Sequence, residues 1–182
     1  MYAEALSVQF LAERIAIGNT RGFQLYDIHA ETWAWVPELR AVRDDPAQAL
    51  LAKKLDGARP LGMYHVPDVG YLLCYDRVAC YIDAVGAPVH MDRAFEWETR
   101  VVRTAYYHGY VLGFGTAGIE VRDARTGRIE QAVFTGELRL LSQSYGTDDP
   151  ASARAEANAS VVYVERVRNE GDVFRAQELV LA

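Results

Sequence analysis

The 182-residue sequence predicts an all-β chain of propeller type, with about four four-stranded antiparallel blades and one short helix near residues 45–55. Three observations predict it. Apolar residues alternate with period two over most of the chain, in short runs broken by turn chemistry. One stretch, Arg14–Asp27 (RIAIGNTRGFQLYD), aligns without a gap with a second, Tyr110–Asp123 (YVLGFGTAGIEVRD). A single segment abandons the period-two rhythm for a helical one.

Taken in order, Ser7–Leu11, Arg14–Gly18 and Gly22–Ile28 read as strands, with Asn19-Thr20-Arg21-Gly22 as the turn of a hairpin. Thr32–Val36 would be the fourth strand of that unit. Asp44–Gly57 then carries an Asp cap, Pro46 in its first turn, lysines in its last turn and Gly57 after its end, which predicts a short surface helix. Leu61–Val66, Tyr71–Tyr75 and Val78–Asp83 form the next unit around the Asp76-Arg77 turn, with Val89–Trp97 as its fourth strand. Val101–Tyr107, Tyr110–Gly115, Ile119–Asp123 and Ile129–Phe134 follow, separated by His108-Gly109, Thr116-Ala117-Gly118 and Arg125-Thr126-Gly127. Leu138–Gln143, Val161–Val167 and Arg175–Leu181 make a fourth unit. Within it Asp148–Ser160, rich in Asp, Ala and Ser, reads as an exposed loop, with a helical turn around Ala153–Ala157 or disorder as the alternatives.

The repeat gives these units a common outline. Thr20 aligns with Thr116, Gly22 with Gly118 and Asp27 with Asp123, while Gly70–Gly86 keeps the same two strands around a tight turn. A strand precedes and another follows each hairpin. Four antiparallel strands recurring at intervals of tens of residues are the sequence mark of propeller blades.

Bulk properties narrow the function. The net charge of −6 supplies no basic excess to neutralise phosphates, so nucleic-acid binding is not expected. The longest apolar runs, such as Val69–Tyr75, are too short to span a bilayer, and no transmembrane segment is expected. No basic and apolar leader opens the chain, and two cysteines cannot build a disulfide framework. A reducing, cytoplasmic setting follows.

The residues that could carry chemistry fail on context. Gly113, Gly115 and Gly118 match the G-x-G-x-x-G spacing of a dinucleotide site. That site needs a helix after the last glycine, and Ile119–Asp123 reads as a strand. His29, His65, His90 and His108 show no metal-ligand spacing. Cys74 and Cys80, either side of the Asp76-Arg77 turn, are a redox pair in principle and small buried hydrophobes in the plainer reading. Glu96 and Glu98 would share one strand face, a glycosidase-like pair in principle, but side by side they could not flank a bond. Tyr106, Tyr107 and Tyr110 read as packing residues, or as part of an exposed binding surface. No catalytic, cofactor-binding or metal-binding residue is assigned, and no cofactor is expected.

Two segments carry a family resemblance. Gly70–Pro88 (GYLLCYDRVACYIDAVGAP) and Tyr110–Ser142 (YVLGFGTAGIEVRDARTGRIEQAVFTGELRLLS) resemble the citron homology (CNH) domain, through "LLCYD" and through "IEVRD" leading to "TG" and "RLL". The similarity spans roughly residues 5–145 and is closest to the C-terminal part of the domain in fungal guanine nucleotide exchange factors for Rho-type GTPases. It implies a propeller of about seven blades, so residues 1–182 are expected to be one incomplete CNH segment. It also implies a non-enzymatic regulatory interaction module in small-GTPase signalling. The implied partners are a Rho-type GTPase or upstream cortical regulators, and the remaining blades or the rest of the exchange factor. The implied place is the cytoplasm, peripherally at the cell cortex. A CNH domain of a Ste20-like kinase, or of a vesicle-tethering subunit of the endosome–vacuole pathway, is the alternative host.

Overall fold

The computed structural model describes residues 4–11, 13–39, 45–134, 138–143, 161–166 and 174–179. They form four antiparallel sheets in which the strands pair in sequence order, save one short strand of the second sheet. The first sheet runs β1 (Ala5–Leu11), β2 (Arg14–Asn19), β3 (Gly22–Asp27) and β4 (Thr32–Val36). The second runs β5 (Pro60–Val66), β6 (Gly70–Tyr75), β7 (Val78–Ile82) and β8 (Pro88–Val89), with β9 (Phe95–Glu96) also on β7. The third runs β10 (Val101–Tyr107), β11 (Tyr110–Gly115), β12 (Gly118–Asp123) and β13 (Ile129–Phe134). The fourth shows β14 (Leu138–Gln143), β15 (Val161–Arg166) and β16 (Phe174–Leu179). The expected excursion at Asp148–Ser160 lies outside the described residues.

Two devices recur from sheet to sheet. One is a carboxylate that closes the turn after the third strand. Asp27 Oδ1 accepts from the backbone N–H groups of His29 (3.0 Å) and Ala30 (2.9 Å). Asp83 Oδ1 accepts from Val85 and Ala87, both at 2.9 Å. Asp123 Oδ1 accepts from Arg125 (2.9 Å) and Thr126 (2.8 Å). An Asp at this place offers the chain a turn in side-chain form, which is why the repeat keeps it. The other device is a bulge in the first strand pair of every sheet. The register shifts between Ala5 and Ser7, Pro60 and Gly62, Val101 and Arg103, and Leu140 and Ser142. One extra residue there bends the strand and increases its twist.

Two compact units divide the chain, Met1–Trp97 and Glu98–Ala182. In the first, one face of the first sheet packs on one face of the second. Ala16, Phe23, Leu25 and Val36 meet Met63, Leu73, Tyr75, Val78, Cys80 and Ile82 in a single buried cluster. Phe23 meets Tyr75 edge-on, with ring centroids 5.2 Å apart. The Met63 N–H crosses between the sheets to Gln9 Oε1 at 2.6 Å. Helix α1 (Pro46–Leu55) is capped by Asp45, whose side chain accepts from the Ala47 and Gln48 N–H groups, and it buries Leu51 against the same cluster. The expected helix near 45–55 is therefore present.

The expected continuous fourth strand Val89–Trp97 is not. His90 takes a left-handed backbone (φ 50°) and starts a one-turn helix, Met91–Arg93, that lifts the chain off the sheet edge. The chain returns at β9, so that β8 pairs with Tyr81–Ile82 and β9 with Val78–Ala79. Trp97 is buried just beyond, its indole N–H donating to the Tyr75 carbonyl at 3.0 Å.

In the second unit, Ala105, Leu112, Phe114, Ile119 and Val121 pack on one face of the third sheet, with Tyr107 and Tyr110 at the margin. The opposite face of β12 buries an ion pair. Arg122 Nε donates to Glu120 Oε1, and a further Arg122 N–H donates to the Gly127 carbonyl at 2.8 Å. Glu120 Oε2 accepts from the Glu98 N–H at 2.9 Å. Each partner of the buried pair is thus also tied to backbone, as burial of charge requires.

Gly118 and Gly22 stand at matched places in the repeat, and both have positive φ (155° and 135°). A Cβ at Gly118 would overlap the Val133 carbonyl oxygen, whereas one at Gly22 meets nothing within 4 Å. Gly118→Ala is expected to destabilise the fold by about 2 kcal/mol or more, and Gly22→Ala by less than half of that, read by chemical denaturation. Equal losses would show that backbone strain, not the approach of β13, sets the requirement. A second outcome concerns Asp27, whose carboxyl is held below its ordinary value of 3.8. The Ala30 N–H is the largest cause; the His29 N–H and the Arg14 guanidinium (3.4 Å) act the same way, and desolvation opposes them. A depressed folded pKa stabilises above the unfolded value and is lost as pH falls through the folded one. Asp27→Asn should therefore flatten the acid limb of thermal midpoint against pH below about pH 4, and an unchanged limb would contradict it.

Candidate interaction surfaces

The glycine motif lies in the β11–β12 hairpin. Gly113 pairs with Glu120 across it, and Gly115 comes so close to Thr99 Oγ1 and the Arg100 carbonyl that a Cβ there would sit 2.8 and 3.0 Å from them. Gly118 opens a strand, so no helix N-terminus is present to receive a pyrophosphate. These glycines serve close strand packing and a turn.

The other candidates are dispersed. Cys74 and Cys80 lie on adjacent strands but pair with Ala79 and Leu73, respectively, so their side chains leave opposite faces of the sheet. Both are buried free thiols; burial raises Cys74 well above its ordinary value and pushes Cys80 up to about 12. Such thiols behave as small hydrophobes rather than nucleophiles. Glu96 forms an exposed ion pair with Lys54 at 2.8 Å, and the Lys54 hydrogen bond holds its carboxyl below the usual range. Glu98 falls outside any strand, contrary to the shared face expected of the two carboxylates. His65, His90 and His108 lie against the rings of Tyr71, Tyr81 and Tyr107 at three separate places, the last two edge-on, and His29 sits in the turn closed by Asp27. Among the described residues, no group of three His, Cys, Asp or Glu could hold a metal ion. No described helix is long and apolar enough to cross a membrane. A surface hollow of about 580 Å³ between β1, the β2–β3 turn and the end of α1 is lined by Leu6, Thr20, Arg21, Leu55, Ala58 and Arg59. Two arginines line it, with no carboxylate or histidine among its lining residues.

The surface that stands out is the outer face of the first sheet. Register places Val8 and Phe10 of β1, Ile15 and Ile17 of β2, Gln24 and Tyr26 of β3, and Trp33 and Trp35 of β4 on one face. Phe10 is 80% exposed, Trp33 55% and Trp35 46%. Ile15, Ile17, Gln24 and Tyr26 are half-buried. Tyr26 and Trp33 stack with centroids 4.5 Å apart, and Gln24 is tied to the Asn19 amide at 3.1 Å. No ionisable side chain other than the Tyr26 phenol lies among these eight. The pattern was legible in principle: "RIAI" and "WAWV" are apolar on both faces, and such strands need cover on both sides.

The comparisons agree with this geometry. The sequence matches the CNH domain family over residues 1–144. It is 29% identical over 143 residues to RHO1 GDP-GTP exchange protein 2 of Saccharomyces cerevisiae. It is 27% identical over 146 residues to Rho1 guanine nucleotide exchange factor 1 of Schizosaccharomyces pombe. These matches take in 78% and 79% of the chain but only 10% of each relative. Among solved structures, the AfRom2 CNH domain superposes with a TM-score of 0.75 at 19% identity, over 100% of this chain and 52% of that one. The Neurospora crassa Pan2 WD40 domain superposes with a TM-score of 0.52 at 15% identity, over 89% and 46%. The fold is thus propeller-like, and the protein belongs to the CNH domain family.

Proposed function

We propose that this chain is a non-enzymatic, regulatory protein-interaction portion of a CNH propeller in a guanine nucleotide exchange factor for Rho-type GTPases. The observation that carries the reading is the joint match to the CNH family and to fungal Rho1 exchange factors over the same residues. The dispersal of titratable groups in the described residues supports a binding role over a chemical one. The similarity to exchange factors favours that host over a Ste20-like kinase or a vesicle-tethering subunit. On this reading residues 1–182 are one segment of a larger propeller and act at the cytoplasmic side of the cell cortex. The contacts would be a Rho-type GTPase, the exchange module or an upstream cortical regulator.

The chain immobilised on beads, offered a purified Rho-type GTPase in its GDP and GTP-analogue forms and a Dbl-homology–pleckstrin-homology module, should retain at least one of them. It should leave the rate of nucleotide release from the GTPase at its intrinsic value. Retention of none would overturn the regulatory reading, and acceleration of release by the chain alone would overturn the non-enzymatic one.

A further inference from the structure

The first and second sheets are built on the same positions, and the equivalence runs strand by strand. Register pairs Val8 with Ile17 and Phe10 with Ile15 in the first sheet, as Met63 pairs with Leu73 and His65 with Tyr71 in the second. Ile15 pairs with Tyr26 and Tyr26 with Trp33, as Tyr71 pairs with Ile82 and Ile82 with Pro88. The face holding Val8, Phe10, Ile15, Ile17, Tyr26 and Trp33 is therefore the counterpart of the face holding Met63, His65, Tyr71, Leu73, Ile82 and Pro88. In the second sheet, Met63, Leu73 and Ile82 of that face are fully buried, in the cluster they share with Ala16, Phe23, Leu25 and Val36 of the first. In the third sheet the corresponding Val111, Glu120 and Arg122 are buried too. In the first sheet the equivalent Ile15, Ile17, Gln24 and Tyr26 are only half-buried, and Val8, Phe10, Trp33 and Trp35 are exposed, whereas in the second sheet His65 is the one exposed residue of the six named.

We infer that the apolar face of Val8, Phe10, Ile15, Ile17, Tyr26, Trp33 and Trp35 is the seat of one further four-stranded blade, carried by the part of a CNH propeller that this chain does not contain. The occupant's chemistry follows from the existing interface. It presents an apolar face like that of Ala16, Phe23, Leu25 and Val36, with a polar side chain at the place of Gln9 to reach a backbone N–H on the receiving sheet. The seat has no carboxylate or cation to desolvate, so a sheet of that kind covers it without burying an unpaired charge. The match to the AfRom2 CNH domain leaves 48% of that chain (100 − 52) without a counterpart here, enough to hold several blades. The inference rests on reading the chain as a portion of a longer propeller, and not on any GTPase contact.

The test has two arms. With the 182-residue chain alone, iodide should quench two of its three tryptophans, Trp33 and Trp35, and spare the buried Trp97. Uniform protection would show the face already covered and overturn the inference. In the second arm the probe is the uncovered portion of the AfRom2 CNH domain, co-expressed with the tagged chain. The two should co-purify at 1:1, with iodide access to Trp33 and Trp35 lost. Phe10→Glu with Trp33→Glu should cut capture at least tenfold, while Val85→Glu, an exposed apolar residue elsewhere, should leave it unchanged. Exposure of Phe10 and Trp33 makes both variants foldable, which an unaltered melting transition verifies. Capture unaffected by the double variant would place the contact elsewhere and overturn the inference while leaving the longer-propeller reading intact. No capture would overturn both. Self-association of the chain through this face, undisplaced by the probe, would assign the seat to a second copy and equally overturn it.

Discussion

The first and second sheets are apolar on both faces and the third buries residues on both, and that constraint governs the rest. A sheet with one wet face can stand alone against a core; one with two apolar faces must be stacked on both sides. Sequence alternation therefore breaks down where burial is deepest. Every residue of β7 is buried, and so are five of the six in β12, including a Glu and an Arg. The Glu120–Arg122 pair shows what the constraint demands of a polar residue at such a place, namely that charge goes inside only with a charged partner and a backbone partner for each.

Stacking sets a second requirement, that sheets share a twist. The bulge at the head of each first strand meets it. It occurs at matched places in three sheets and close to that place in the fourth. The Asp27, Asp83 and Asp123 turns act at another corner of the sheet, fixing where the fourth strand begins. Together they make the first three sheets versions of one unit even where their sequences differ, and the fourth shares the bulge.

Much of this was readable from the chain. The gapless repeat of Arg14–Asp27 and Tyr110–Asp123 located the hairpins, and Pro46, the two lysines and Gly57 located α1. Fold class followed, because period and turn chemistry are local properties. The interruption of the strand expected at Val89–Trp97 was not readable. It depends on the left-handed backbone of His90, a conformation that histidine tolerates better than most residues but that its presence alone does not announce. The bulges also leave no mark, since an inserted residue in a strand resembles any other. Glu120 and Arg122 look like ordinary surface charges in the sequence, and only register shows them enclosed. The open face of the first sheet was legible as letters in "RIAI" and "WAWV", yet its meaning needed the second sheet for comparison.

Strand order carries a consequence for how such a chain is made. Since strands within each sheet pair in sequence order, with β9 returning to β7 as the exception, hydrogen-bonding partners leave the ribosome in close succession, and each sheet can close before the next is synthesised. Contacts of this kind are local and form quickly. Stacking is the slower event, because the covering sheet arrives last. A nascent sheet thus waits with one greasy side unprotected, and the interval between sheets is the window in which a chaperone would have something to hold.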